Sequence, residues 1–233
     1  MAGCVALIVA AGRGARLGAA RTAGAPSPKQ YLPLCGRPML THAVAAFQDA
    51  DGVAAMRVVI HADDRALYDD AVGHLGLLDP VQGGATRQDS VRLGLESLAG
   101  EGFETVLIHD AARPLVDGAL IARTLAALAA HPGAVPALAV RDSLKRGAGG
   151  VIREAVDRSD LWRAQTPQGF SFAAILDAHR KAAAEGPGAH SDDAAVAAAA
   201  GIDVVLVPGS EGNLKITTME DFARAERLLA GGG

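Results

Sequence analysis

The sequence is poor in aromatic residues and in cysteine. Phe, Trp and Tyr make up 3% of its 233 residues, and the cysteines are two, Cys4 and Cys35. Neither sits in a metal-ligand spacing. That excludes a disulfide scaffold and a thiolate metal centre, and it predicts a reducing compartment. Positive charge is in no surplus either: 22 Lys and Arg against 26 Asp and Glu leave a net charge of -4. A nucleic-acid partner calls for a basic excess, so any basic cluster here is local and suits a small anion. No apolar run is long enough to span a bilayer. The first one, "CVALIV", has no basic residue ahead of it, unlike a signal peptide. These absences set aside membrane and secreted classes and predict a cytoplasmic protein.

What the sequence has is apolar residues, 50% of the total, enough for a sizeable core. They fall into short runs rich in Val, Ile and Leu: "VALIV", "RVVIH", "TVLIHD", "AVPALAV" and "VVLVP". Between them lie segments with helical spacing, such as "PMLTHAVAAFQDA", "RQDSVRLGLESLA" and "SFAAILDAHRKAAAE". Strand alternating with helix predicts an α/β fold. Runs apolar on both faces predict a Rossmann-like, mostly parallel sheet with helices on both sides. Ligands of such sheets bind beyond the carboxyl ends of the strands. One domain over 1–233 is expected. Residues 140–160 interrupt the rhythm: two polar-apolar stretches joined by "GAGG" predict a protruding β-arm.

The stretch after the first apolar run, "AAGRGARLGAARTAGAPSPKQ" (residues 10–30), combines glycines with four cations and no acid. It is not a Walker A loop, since Gly14 and Gly18 are too close and Ala19-Ala20 stand where Lys and Ser or Thr belong. It is not a dinucleotide fingerprint either. One residue too many precedes Gly18, and the next strand ends far downstream of the acid position that motif needs. A short-chain dehydrogenase would want Tyr and Lys four apart, and neither Tyr31 nor Tyr68 has that partner. A glycine loop that also places Arg16 and Lys29 fits a triphosphate. Backbone N–H groups cradle the phosphates and cations offset charge on the reacting phosphoryl group.

"PKQY" (residues 28–31) together with this loop resembles the nucleotidylyltransferases. "GGATRQDSV", "HDAARP", "VRDSLKR", "VDRSDLWRAQTPQGF" and "NLKIT" follow in order. Together they resemble the 2-C-methyl-D-erythritol 4-phosphate cytidylyltransferase family of the non-mevalonate isoprenoid pathway, from Val5 to about Leu229. The resemblance implies transfer of CMP from CTP to methylerythritol phosphate, with Mg²⁺ and release of pyrophosphate. A phosphomonoester, with a second pKa of about 6, is already largely ionised near neutral pH and attacks without a general base. The site must instead bring two anions together in line.

Carried over residue by residue, the resemblance implies the following roles. Arg16 and Lys29 stabilise charge on the pentacoordinate phosphorus. Gly12 and Gly14 wrap the outer phosphates, while Ala10, Ala11, Gly84 and Ser90 hold cytosine and ribose. Arg158 and Lys215 position the acceptor. Asp110 and Arg113 face the substrate hydroxyls, Asp110 also being a candidate metal ligand; Thr166 lies near the phosphate, and Ser143 is a further substrate-binding position. An ion pair between Asp110 and Arg113 is the plainer alternative for those two. The arm crosses to a second subunit in the family, so a homodimer is implied, with Arg158 and Ser143 serving the neighbour's site. Some relatives fuse this unit to a cyclodiphosphate synthase, so the resemblance implies that enzyme as a fused or associated partner.

Three departures from the family pattern stand out: Ser143 where Thr is expected, Ala85 where an acid is common, and a longer spacing between Leu17 and Lys29, as if residues 19–27 were inserted. A ribitol 5-phosphate cytidylyltransferase of the same fold would share the nucleotide site and differ only in the acceptor pocket. Transfer of another nucleotide to a sugar phosphate or a molybdopterin is a further rival. A non-catalytic nucleotide-binding regulator would be expected to lack Arg16, Lys29 or Asp110, and all three are present.

Overall fold

The computed structural model describes residues 3–13, 28–186 and 190–231. Gly14, Arg16 and the segment 19–27 lie outside the described residues.

The sheet is built around β1 (Cys4–Val9), whose residues are almost all buried. β1 pairs in parallel with β4 (Val53–Ile60) on one side and β6 (Thr105–Asp110) on the other. Beyond β4 lies β5 (Val81–Gln82), also parallel. Beyond β6 come β11 (Gln168–Ser171), β7 (Gly133–Ala139) and β10 (Trp162–Ala164), joined by antiparallel pairings. β12 (Val204–Pro208) runs parallel to β7. The sheet is therefore mixed, with its parallel half at β6-β1-β4-β5.

The period-2 geometry of a strand sends alternate β1 side chains to opposite faces. Cys4, Ala6 and Ile8 join a core with Leu40, Val44, Phe47 and Leu120, under α1 (Met39–Gln48), α2 (Arg65–Val72) and α4 (Gly118–Leu128). Val5 and Leu7 join a second core with Leu95, Ile108, Phe170 and Ile175, under α3 (Arg87–Ser97), α5 (Phe172–Glu185) and α6 (Asp193–Ala199). This is the two-sided covering that the unbroken apolar runs predict. A third cluster, including Leu34, Met39, Ile216 and Phe222, seats α7 (Met219–Gly231) beside the short pair β2 (Pro33–Leu34) and β3 (Arg37–Pro38).

The apolar run "VVLVP" departs from the expectation of burial on both faces: in β12 no residue is fully buried, and Leu206 is 48% exposed. It borders only β7 in the sheet, so one flank stays uncovered. The predicted arm is a hairpin of β8 (Leu144–Ala148) and β9 (Val151–Val156), paired antiparallel and separate from the main sheet. Gly149 and Gly150 both have positive φ at its tip, which glycine accepts without a Cβ penalty.

Candidate active site

The carboxyl ends of β1 and β6 are level, since Val9 pairs with Asp110. A cavity of about 540 Å³ opens there, lined by the chain after β1, by the start of α3, by the end of β6 and by Lys29, Lys215 and Thr217. Its place agrees with the rule for open α/β sheets.

The floor is glycine and alanine. Ala10 donates its N–H to the Val59 carbonyl, and its own carbonyl accepts from the buried Gln30 side chain at 2.5 Å. Gly83 packs so close that a Cβ there would come within 2.5 Å of Ala11 Cβ and 2.7 Å of Ser90 Oγ. Gly84 donates its N–H to Ser90 Oγ at 3.1 Å, while the Ser90 hydroxyl donates to the Thr86 carbonyl at 2.9 Å. Ser90 thus braces the loop. Thr86 and Asp89 form a capping box, which starts α3 at Arg87 on the cavity rim.

Cationic side chains converge on the cavity by ordinary chain geometry. Lys29 opens a 3-10 turn over Lys29–Tyr31, and its Nζ donates to the Ile216 carbonyl at 2.8 Å. Ile216 is fully buried and donates its N–H to the Ala112 carbonyl at 2.8 Å. Its neighbour Lys215 lines the cavity, with Nζ 2.7 Å from Asp110 Oδ2. Arg87 Nε donates to the other oxygen, Asp110 Oδ1, at 2.9 Å.

Asp110 is thus held between two cations. Burial alone would raise its pKa, but the charges of Arg87 and Lys215 outweigh that and keep it well below the usual carboxylate range. The alternative Asp110–Arg113 pair is not formed. The Arg113 guanidinium, its pKa lowered chiefly by burial, donates to the carbonyls of Asn213 (2.7 Å) and Ala164 (3.3 Å) and does not line the cavity.

Behind Asp110 runs a chain of bonds whose proton positions follow from its ends. The Arg113 carbonyl can only accept, so His109 donates to it from Nε2 at 3.1 Å. His109 Nδ1 then accepts from the Thr166 hydroxyl at 3.1 Å, and that oxygen accepts the Asp110 N–H at 3.1 Å. Burial is the main cause of the fall in the His109 pKa to about 4, so the ring is neutral near pH 7. Thr166 is buried within this chain rather than on the cavity wall.

The site residues expected from sequence therefore divide. Ala10, Ala11, Gly12, Lys29, Gly84, Ser90, Asp110 and Lys215 line one cavity. Thr166 and Arg113 stand behind it. Ser143 and Arg158 are exposed on the arm and its base and do not line the cavity of their own chain. Gly14 and Arg16 fall outside the described residues. Arg87 was not singled out by sequence, although its signal was legible: Thr86-x-x-Asp89 marks a helix start beside the glycines. Gln30 was hidden for another reason, since nothing local shows that its amide turns inward to Ala10.

The family model for 2-C-methyl-D-erythritol 4-phosphate cytidylyltransferase matches residues 4–231. A bifunctional enzyme IspD/IspF from Rhodospirillum rubrum is 59% identical over the whole chain, which spans 59% of that protein's length. A 2-C-methyl-D-erythritol 4-phosphate cytidylyltransferase from Cereibacter sphaeroides is 55% identical, with 97% of this chain and 96% of that protein covered. The crystal structure of the Thermus thermophilus enzyme of the same name is 33% identical, with a TM-score of 0.78 over 96% of this chain and 98% of that one. With a single family covering the sheet, the cavity and the arm alike, this chain belongs to the 2-C-methyl-D-erythritol 4-phosphate cytidylyltransferase family.

Proposed function

We propose that this chain transfers CMP from Mg·CTP to 2-C-methyl-D-erythritol 4-phosphate, forming 4-CDP-2-C-methyl-D-erythritol and pyrophosphate for isoprenoid precursor synthesis. The observation that carries this reading, beside family membership, is one cavity that joins a glycine-alanine floor to Lys29, Lys215, Arg87 and Asp110. The floor presents backbone to a flat base and sugar. Lys29 supplies charge where the α-phosphate becomes pentacoordinate, and Arg16 of the same loop shares that role. Lys215, aligned by Asp110, orients the acceptor phosphate, whose oxygen attacks the α-phosphorus as pyrophosphate leaves. No imidazole base is called on, and His109 is enclosed in its own hydrogen bonds.

A resident magnesium site on Asp110 fits poorly. Both Asp110 oxygens are committed to cations, and no group of three metal-binding side chains occurs among the described residues. Magnesium therefore enters with the substrate, carried by the CTP phosphates.

The arm supports a homodimer. It carries Val151 and Ile152 at 53% and 66% exposure, with Leu161 and Trp162 exposed near its base. Ser143 and Arg158 then complete the cavity of the other subunit. A cyclodiphosphate synthase, fused or associated, is a fitting partner, since the Rhodospirillum relative is named as bifunctional. No described helix is long and apolar enough to cross a membrane, and we place the enzyme in the cytoplasm.

The test is pyrophosphate release from each nucleoside triphosphate with methylerythritol phosphate or ribitol 5-phosphate. CTP with methylerythritol phosphate should be the preferred pair by a wide margin in kcat/KM. A preference for ribitol 5-phosphate, or for GTP, would refute the reading.

A further inference from the structure

Arg87 reaches the cavity from a second anchor that lies outside it. Its Nη1 and Nη2 donate to the two carboxylate oxygens of Asp193, at 3.1 and 2.8 Å, while Nε alone serves Asp110. Asp193 is fully buried. Burial would raise its pKa, but Arg87 and His179 outweigh this, so the carboxylate is charged. His179 Nε2 lies 3.2 Å from Asp193 Oδ1, with both side chains fully buried.

Asp193 is itself tied to the sheet. The preceding residue, Asp192, caps α6 by accepting the Ala195 N–H at 2.9 Å, and its other oxygen accepts from Gln168 Nε2 at 2.9 Å. Gln168 Oε1 in turn accepts the Ala194 N–H at 2.8 Å. Gln168 stands opposite Ile108 on β6, two residues before Asp110. The start of α6 and the end of β6 are thus referenced to one another through a single side chain.

We propose that Asp193 is a positioning residue for the transfer. Its two-point fork fixes the Arg87 guanidinium, Arg87 fixes the Asp110 carboxylate, and Asp110 fixes the Lys215 ammonium. An arginine bonded through Nε alone can still pivot about that bond. A planar fork gripped at both Nη atoms cannot. The four charges alternate and sum to zero, so the row adds no net charge to the cavity. Without Asp193 the row carries one net positive charge and Arg87 is held to Asp110 by Nε alone, able to leave it for a substrate phosphate. Substrate would still bind, but out of line, and misplacement of this kind falls on turnover rather than on affinity.

This inference rests on the proposed function for its kinetic part only. Asp193→Asn should lower kcat at least tenfold while KM for CTP stays within about twofold, and Asp193→Glu should recover part of the loss. Val196→Ala, which opens a void in the same helix, should leave kcat within about twofold. In an Arg87→Lys background, which has no fork to grip, Asp193→Asn should cost nothing further. The Arg87 Nε–H resonance, read by NMR, reports the placement without turnover: the signal should be protected from exchange in the parent and lost in Asp193→Asn. An unchanged resonance, or losses that multiply in the double variant, would overturn the proposal. If the parent makes no pyrophosphate from CTP and methylerythritol phosphate, the functional reading fails, and the resonance still judges the positioning. Should Asp193→Asn not fold, the same resonance in Asp193→Glu decides it: a signal displaced from its parent position supports the grip, and an unmoved one refutes it.

Discussion

The end of β6 and the β-arm treat polar groups in opposite ways. At the end of β6 each charged or hydrogen-bonding group answers to another within the chain: Asp110 to Arg87 and Lys215, its N–H to Thr166, and Thr166 to His109. At the base of the arm, Arg158 and Ser143 are exposed, as are the apolar residues Leu161 near the base and Ile152 towards the tip. The first region is preorganised, so charge can be offset in the transition state without rearranging the protein. The second offers exposed apolar area and exposed charge, the character of the interface proposed above.

That contrast breaks most sharply at Lys29. Lys29→Ala should lower kcat by on the order of 10² to 10³, with the melting temperature little changed, because one donor to developing charge is removed. Steady-state kinetics and a thermal melt check both halves. If Arg158 completes the neighbour's site, as proposed, Arg158→Ala should be comparably inactive for a different reason. Mixing Arg158→Ala with Lys29→Ala protein should then recover roughly a quarter of parental activity. Half of the randomly formed dimers are mixed, and each of those carries one intact site. No recovery on mixing would place Arg158 at its own subunit's cavity.

The third expectation concerns pH and the buried chain behind Asp110. The folded-state pKa of His109 is depressed from 6.5 to about 4. Its contribution to stability is therefore complete above 6.5 and is lost as pH falls from 6.5 towards 4, by about 3 kcal/mol in all. Asp110 is also depressed, but from an ordinary value of 3.8, so its contribution is lost only below that. Urea unfolding of the parent and of His109→Asn from pH 7 to 4 separates the two, since the variant should lack the upper window. The smallest effect is a control at a helix start that does not line the cavity. Asp117 caps α4 by accepting the Leu120 N–H at 2.7 Å, and Asp117→Ala should cost about 1 kcal/mol of stability with kcat unchanged.

The elements of the fold were largely legible because each is a local pattern. "VALIV" and "TVLIHD" are buried strands wherever they are placed in a two-sided sheet, and "GAGG" is a tight turn by virtue of two glycines. The short antiparallel strands β10 and β11 were not legible, for "WRA" and "QGFS" are too short to carry a period. The half-covered state of β12 was not legible either, because it depends on which neighbours a strand has. At the site, Lys29, Asp110 and Lys215 could be named from motifs, but the pairing of Asp110 with Arg87 and Lys215 rather than with nearby Arg113 could not.

Residue chemistry and local periodicity are carried by the chain alone: which segments are strands, and where cations and glycines cluster. Which charge answers which is settled by packing. Arg87 and Asp193 are 106 residues apart, and Lys215 and Asp110 are 105 apart. Their meeting depends on sheet order, on register, and on which buried neighbour, such as Ile216 or Gln168, turns each side chain towards the cavity. Those are properties of packing among distant segments, where a charge takes the partner that shares its burial, not the one nearest in the chain.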